Sequence, residues 1–251
     1  MDRQQGRKFL KHFDWDSLPE DFQTDQAKKL PNPPLEKPCE KETKLIDLPN
    51  PKDTQFNDKN ISELIYDRKS HRVFSEEEIS LEDLSFLLWA TQGVKKVMDN
   101  GYVAFRTVPS AGARHPFETY IYADKVKGLE KGLYRYLPFS NQLAELKLGD
   151  FSDEVGMAAA GQIFVGKCAV SFIWSVIPYR TEWRYDVGSY KPILLDAGHV
   201  CQNLYLACEA LDLGTVAIAA YDQKKMDEFI EVDGYDEMTV YVAPVGRPKN
   251  V

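Results

Sequence analysis

The chain has 251 residues, 43% of them hydrophobic, and a net charge of −8. It is long enough to bury roughly 70–75% of its unfolded surface around one main core, and too acidic for nonspecific nucleic-acid binding, which needs a surplus of cations against phosphate. Its longest apolar run, Ala169 to Ile177, falls far short of the ~20 residues that span a bilayer; Met1 to Gln26 is polar where a secretory signal would be apolar, so no membrane association and a cytoplasmic location are expected.

In chain order, residues 1–55 read as an extended arm and residues 56–251 as the main domain. The arm is punctuated by Pro31, Pro33, Pro34, Pro38, Pro49 and Pro51, which favours extended backbone over a packed unit. Phe9, Phe13, Trp15, Leu18 and Phe22 give its first part apolar surface to dock on its own or a partner subunit.

Ile61, Leu64 and Ile65 repeat at helical spacing and lead into Arg68-Lys69-Ser70-His71-Arg72. Planar guanidinium groups flanking a hydroxyl suit a phosphate clamp. The same cations also complement the dipole at a helix C-terminus, and spacing does not separate the two readings. Ser80-Leu81-Glu82-Asp83 resembles a capping box, and Leu84, Leu87, Leu88 and Thr91 continue a helix to Gly93.

Val108-Pro109-Ser110-Ala111-Gly112-Ala113-Arg114-His115-Pro116 combines small side chains with a φ-fixing Pro109, a Gly112 free to take φ > 0, and a Pro116 that pushes His115 out of the right-handed helical region. Such a loop offers amides rather than bulk to a flat ligand, although these residues also fill ordinary turns. Beyond it the pattern predicts a strand over 117–123, a hairpin over 134–146 turning at Pro138 to Asn141, a short helix capped by Asp150 or Ser152, and a strand over 168–176 buried on both faces. The longest helix is expected over 193–211, with Leu194, Ala197, Val200, Cys201, Leu204 and Ala207 as its core stripe and Gly198 allowing close helix approach. A last strand is expected over 239–245. Interleaved helices and strands give an α+β fold.

The four cysteines (Cys39, Cys168, Cys201, Cys208) form no Cys-x-x-Cys pair and, with the dispersed His12, His71, His115 and His199, no metal-ligand spacing, so no structural metal is expected. Cys201 and Cys208 lie two helical turns apart, about 10 Å along the axis and too far for a disulfide.

Arg-Lys-Ser-His-Arg resembles the Arg-Arg-Ser-x-Arg signature of FMN-dependent nitroreductase-like flavoproteins, with Lys69 in place of the second arginine. Pro109-Ser110-Ala111-Gly112-Ala113 before a strand resembles that family's second flavin segment, with Ala113 where many members carry an asparagine whose amide reaches the flavin edge. Leu194 to Ala207, continuing to Gly214, is similar to the helix before the flavin-contacting loop in the SagB-type dehydrogenase branch, which includes azoline oxidases of modified-peptide biosynthesis. Gly132 to Leu137 and Gln142 to Leu146 resemble that branch's strand pair. Together these motifs cover residues 60–248.

The resemblance implies a nitroreductase-like fold, with a central mixed or antiparallel sheet flanked by helices, in an intertwined homodimer. It implies an FMN site of Arg68, Lys69, Ser70, Arg72 and Arg247 toward the phosphate, with Gly214, Thr215, Val216 and Ala217 near the ring and Pro109, Ser110, Ala111 and Gly112 approaching from the second subunit. The expected activity is ping-pong hydride transfer through flavin N5, with NAD(P)H as transient donor and a peptide azoline, nitroaromatic or quinone as substrate. Azoline oxidation would also need a base, for which Tyr190 or a Lys191 with a burial-lowered pKa are candidates; both also read as ordinary helix-start residues, and Trp183, Arg184 and Tyr185 could equally shape the substrate pocket. A flavin-binding or sensing module without turnover, and a partner of a cyclodehydratase in a peptide-modification complex, remain alternative readings.

Overall fold

The computed structural model describes residues 3–11, 13–98 and 101–249; His12 lies outside the described residues. Helices α1 (Arg3–Leu10), α2 (Ile61–Asp67), α3 (Leu81–Gln92), α4 (Ser152–Ala158), α5 (Tyr179–Tyr185), α6 (Tyr190–Ala210) and α7 (Gln223–Phe229) are interleaved with strands β1 (Leu45–Asp47), β2 (Val94–Val97), β3 (Ala104–Arg106), β4 (Phe117–Ala123), β5 (Gly132–Leu137), β6 (Gln142–Leu148), β7 (Val170–Val176), β8 (Gly214–Thr215) and β9 (Met238–Gly246). Seven strands form one sheet in the order β1-β6-β5-β4-β7-β9-β8, while β2 and β3 form a separate hairpin. Every strand pair in the seven-stranded sheet is antiparallel.

Alternation along the central strands sorts side chains between two cores. Ile121, Phe172 and Trp174 meet Leu84, Leu88, Val200 and Leu204 of α3 and α6 on one face. Tyr120, Tyr122 and Ile173 meet Val155, Met226 and Phe229 of α4 and α7 on the other. With both faces covered, β4 and β7 are buried along their whole lengths, the reason the 168–176 run reads as continuously apolar.

Ser80 caps α3 by accepting from the Asp83 amide. The reciprocal capping box forms at α2, where Asn60 and Glu63 exchange bonds. At α4 the cap position falls on Phe151, and Asp150 instead accepts the Ser152 amide. On α6 the expected stripe is buried except for Leu194, which is 49% exposed because it projects beside Tyr190 into a cavity at the helix start. Gly198 faces open space, with nothing within 4 Å of where a Cβ would sit, so close helix approach there is not seen within one chain.

The N-terminal segment is woven into its own chain. β1 forms the sheet edge beside β6. Ahead of it the proline-rich backbone, with fewer amides of its own, offers carbonyls to donors from the body: Trp183 Nε1 donates to Leu30 O (3.1 Å), Arg106 Nη2 to Leu35 O (2.8 Å) and Arg135 Nη1 to Lys37 O (2.7 Å). The Lys37 amide donates to buried Glu118, whose carboxylate also binds Arg135 and Arg180 at 3.2 and 2.6 Å. No helix among the described residues is long and apolar enough to cross a membrane.

Candidate active site

The Arg68–Arg72 segment leaves α2 in an extended conformation, so alternate residues point to opposite sides. On one side the Arg68 guanidinium lies 5.1 Å from the Tyr205 ring centroid and the Ser70 hydroxyl is 2.9 Å from the Tyr205 hydroxyl. The same Tyr205 oxygen accepts the Ala217 amide at 2.9 Å. Ser70 and Thr215 form an isolated parallel bridge, in which the His71 amide donates to Thr215 O at 2.9 Å. Gly214 is required here, since a Cβ would sit 2.7 Å from the His71 ring. The 68–71 and 214–217 segments, more than 130 positions apart in sequence, are thus stitched together around one tyrosine that sequence reasoning did not single out.

On the other side Lys69 and His71 line a polar cleft of about 500 Å³ together with Arg247, whose Nε lies 3.4 Å from Glu77 Oε2. Arg247 therefore sits with Lys69 rather than with Ser70. Burial and the neighbouring Lys69 lower the His71 pKa from its ordinary value. Arg72 is exposed and forms no ion pair among the described residues.

The Ser110 loop is held from α6. Ser110 Oγ donates to Asp196 Oδ2 at 2.6 Å and the Ala111 amide donates to the same oxygen at 2.9 Å. Ser110 Oγ in turn accepts the His115 amide at 2.9 Å. Gly112, Ala113 and His115 all have positive φ (58°, 53° and 46°), and a side chain at 112 would meet Tyr185 and Arg184 within 3 Å. Ala113 and Arg114 spend their amides inside the loop, leaving those of Ser110 and Gly112 without a described acceptor. Beside the loop lies a cavity of about 490 Å³ lined by Lys95, Arg106, Pro109, Ser110, Ala113 and His115. Burial and Arg106 push the His115 pKa down to about 3, so this histidine is neutral near pH 7.

Asp196 and Tyr205 are nine positions apart on α6, about 14 Å along the axis at ~1.5 Å per residue. Within one chain the structure thus assembles Arg68, Ser70 and the 214–217 segment, and separately the 109–112 loop. Tyr190 and Lys191 open α6. Tyr190, half-exposed and raised in pKa by burial and by Glu182, lines an apolar cavity of about 750 Å³ with Phe9, Tyr179, Leu194, Tyr235 and Met238. Lys191 Nζ donates to Leu10 O at 2.9 Å.

Comparison with known proteins is decisive at the level of family. The Nitroreductase family model matches residues 65–247, a span holding both the Tyr205 cluster and the Ser110 loop. The chain belongs to the nitroreductase family. The nitroreductase-type protein MJ1384 of Methanocaldococcus jannaschii is 30% identical over 206 residues, 82% of this chain and 98% of that protein. The crystal structure of a nitroreductase-type protein from Ralstonia eutropha superposes with a TM-score of 0.69 at 25% identity, covering 88% of this chain and 100% of the other. The trifolitoxin-processing protein TfxB of Rhizobium leguminosarum is 25% identical over 69% of this chain, which spans 48% of that protein's length. This last likeness supports the SagB-type branch of the nitroreductase family, and membership marks the chain broadly as a flavin oxidoreductase.

Proposed function

We propose that the protein is an FMN-dependent oxidoreductase that works as a homodimer and takes a peptide azoline, nitroaromatic or quinone as substrate. The observation that carries this reading is the Tyr205 cluster, which sets exposed Ser70 and the Arg68 guanidinium beside the 214–217 backbone, a donor set suited to a phosphate at one end of a flat ligand. The unclaimed amides of Ser110 and Gly112 fit the ring edge of such a ligand. FMN would supply hydride transfer at N5, accepting hydride from NAD(P)H and donating it to a nitroaromatic or quinone, or accepting it from an azoline and passing the two electrons on to an oxidant such as a quinone.

The protein's own part is to bind, orient and exclude water. Arg68, Ser70 and Arg72 would hold the phosphate, with Lys69 and Arg247 adding positive charge from the neighbouring cleft, while Gly214 to Ala217 would line the ring. Dimerisation is supported by apolar surface with no cover in the chain itself: Ile61, Ile65 and Tyr66 on α2 are 60%, 59% and 90% exposed, and Leu195 and Gly198 lie open on α6. A second subunit on that surface would bring its own 109–112 loop toward the Tyr205 cluster, closing a gap that one chain leaves open. For azoline oxidation Tyr190, on the wall of the 750 Å³ apolar cavity, or Lys191, on the neighbouring cavity of about 490 Å³ and once it leaves the Leu10 carbonyl, would take the ring proton. Likeness to TfxB favours a peptide over a small aromatic among these substrates.

Gel filtration with visible absorbance of the purified protein tests the proposal. A yellow dimer whose flavin is bleached by NAD(P)H is expected, and a colourless monomer that takes up no added FMN refutes it.

A further inference from the structure

A carboxylate on the inward face of a long helix needs a reason. Asp196 is 5% exposed and flanked on α6 by the core residues Ile193, Ala197 and Val200. Among the described residues no Lys or Arg lies within 4 Å of it, and its one basic neighbour at that range is the imidazole of His199, whose Nδ1 lies 3.9 Å away on a side chain that is more than half exposed. Burial raises its pKa, and the bonds from Ser110 and Ala111 only partly offset that rise, so the ionised carboxyl costs the fold stability. Had packing been the only demand at this position, an apolar residue would satisfy it better.

What the carboxylate does is fix a strained loop. Oδ2 accepts from both the Ser110 hydroxyl and the Ala111 amide, directing the Ser110 proton inward and turning that oxygen's lone pairs toward the His115 amide. Two non-glycine residues of positive φ, Ala113 and His115, follow within five positions, a conformation that persists only where surrounding bonds impose it. The anchoring uses up the Ala111 amide, while those of Ser110 and Gly112 have no acceptor among the described residues.

We infer that Asp196 is a positioning residue of the flavin site: acting through Ser110 and Ala111, its carboxylate holds the loop in the shape that presents the neighbouring amides to the flavin ring. This rests on the flavin reading above. It also predicts that function and stability respond in opposite senses to loss of the charge, as at sites where a locally unfavourable residue is kept for function.

The test compares the full-length wild type with Asp196→Asn and Ser110→Ala, measuring thermal midpoint without cofactor, FMN dissociation constant, and midpoint potential of the bound flavin. Asp196→Asn is expected to melt at or above the wild-type temperature yet bind FMN about tenfold more weakly, the equivalent of losing one bond to a charged group. Its bound flavin should be easier to reduce, because a negative charge behind the loop is gone. Ser110→Ala, which keeps the charge, should weaken FMN binding without that change in potential. FMN binding within twofold of wild type in both variants overturns the assignment while leaving the flavin reading intact. So does an Asp196→Asn protein that loses stability and affinity together while Ser110→Ala binds normally. A wild type that binds no FMN overturns the flavin reading itself.

Discussion

Replacing Tyr205 by Phe removes one oxygen and leaves the ring over which Arg68 lies, so it isolates the hydroxyl that joins the two segments of the candidate site. That oxygen accepts the Ala217 amide at 2.9 Å and lies 2.9 Å from Ser70 Oγ. The Ser70 bond is solvent-exposed, water replaces it readily, and its loss should cost about 0.5 kcal/mol. The Ala217 amide is partly buried and cannot be rehydrated fully, so losing its acceptor should cost about 1 kcal/mol. Their sum, about 1.5 kcal/mol, corresponds to a fall of roughly 3–6 °C in Tm for a chain of this size. Equilibrium urea unfolding of the cofactor-free protein, at one protein concentration so that self-association does not intrude, should show a lower midpoint at unchanged slope. A cycle with Ser70→Ala then apportions the loss, since the two variants share a bond and should be less than additive. A Tyr205→Phe cost below about 0.5 kcal/mol would refute the view that this hydroxyl ties the Arg68–Arg72 segment to the 214–217 backbone.

Lys191→Ala should abolish turnover of an azoline substrate while leaving NAD(P)H oxidation with a quinone acceptor within about twofold; unchanged azoline turnover would remove Lys191 from the reaction and leave Tyr190 as the base to examine. Acid should unfold the protein through two groups. Burial alone would raise the Glu118 pKa, but Arg180 and Arg135 outweigh it and hold it below 4.5, so its contribution is complete above that value and is lost as pH falls through the lower folded one. His115 is held neutral by burial, its pKa down from 6.5 to about 3, and contributes stability that declines as pH drops across that interval. Unfolding titrations of Glu118→Gln and His115→Gln should each show a flatter acid limb than wild type, and an unchanged limb in both would count against this account.

Much of the fold was legible because local chemistry and tertiary packing agree. The apolar repeat of α3 is opened by Ser80 and closed by Gly93, and the segments 117–123 and 134–146, read as strand and hairpin, fall within β4, β5 and β6. Where the two disagreed, local pattern gave the wrong side: Leu194 has the right spacing for the α6 stripe but falls beside a cavity at the helix start. Gly112 was also readable as a positive-φ position, since its residue type takes φ of 58° without strain.

Asp196 and Tyr205 were not readable, because on α6 each is one polar group among apolar neighbours, and its role depends on partners 86 and 135 positions away. The same holds for Lys37, Glu118 and Glu237, which look like surface charges along the chain and become an anchor for the arm only once β5, β4, β7 and β9 lie in one sheet. The amino-acid sequence determined by itself the helices α2, α3, α4 and α6 and the strands β4, β5, β6, β7 and β9, since periodicity, caps and residue chemistry act over a few positions, whereas α1, α5, α7 and the short strands β1, β2, β3 and β8 were not legible in it. Which donors share a face, which amides are left unclaimed, and which carboxylates are buried was decided by tertiary structure alone, because hydrogen bonds and desolvation depend on distance in space, which spacing along the chain does not set.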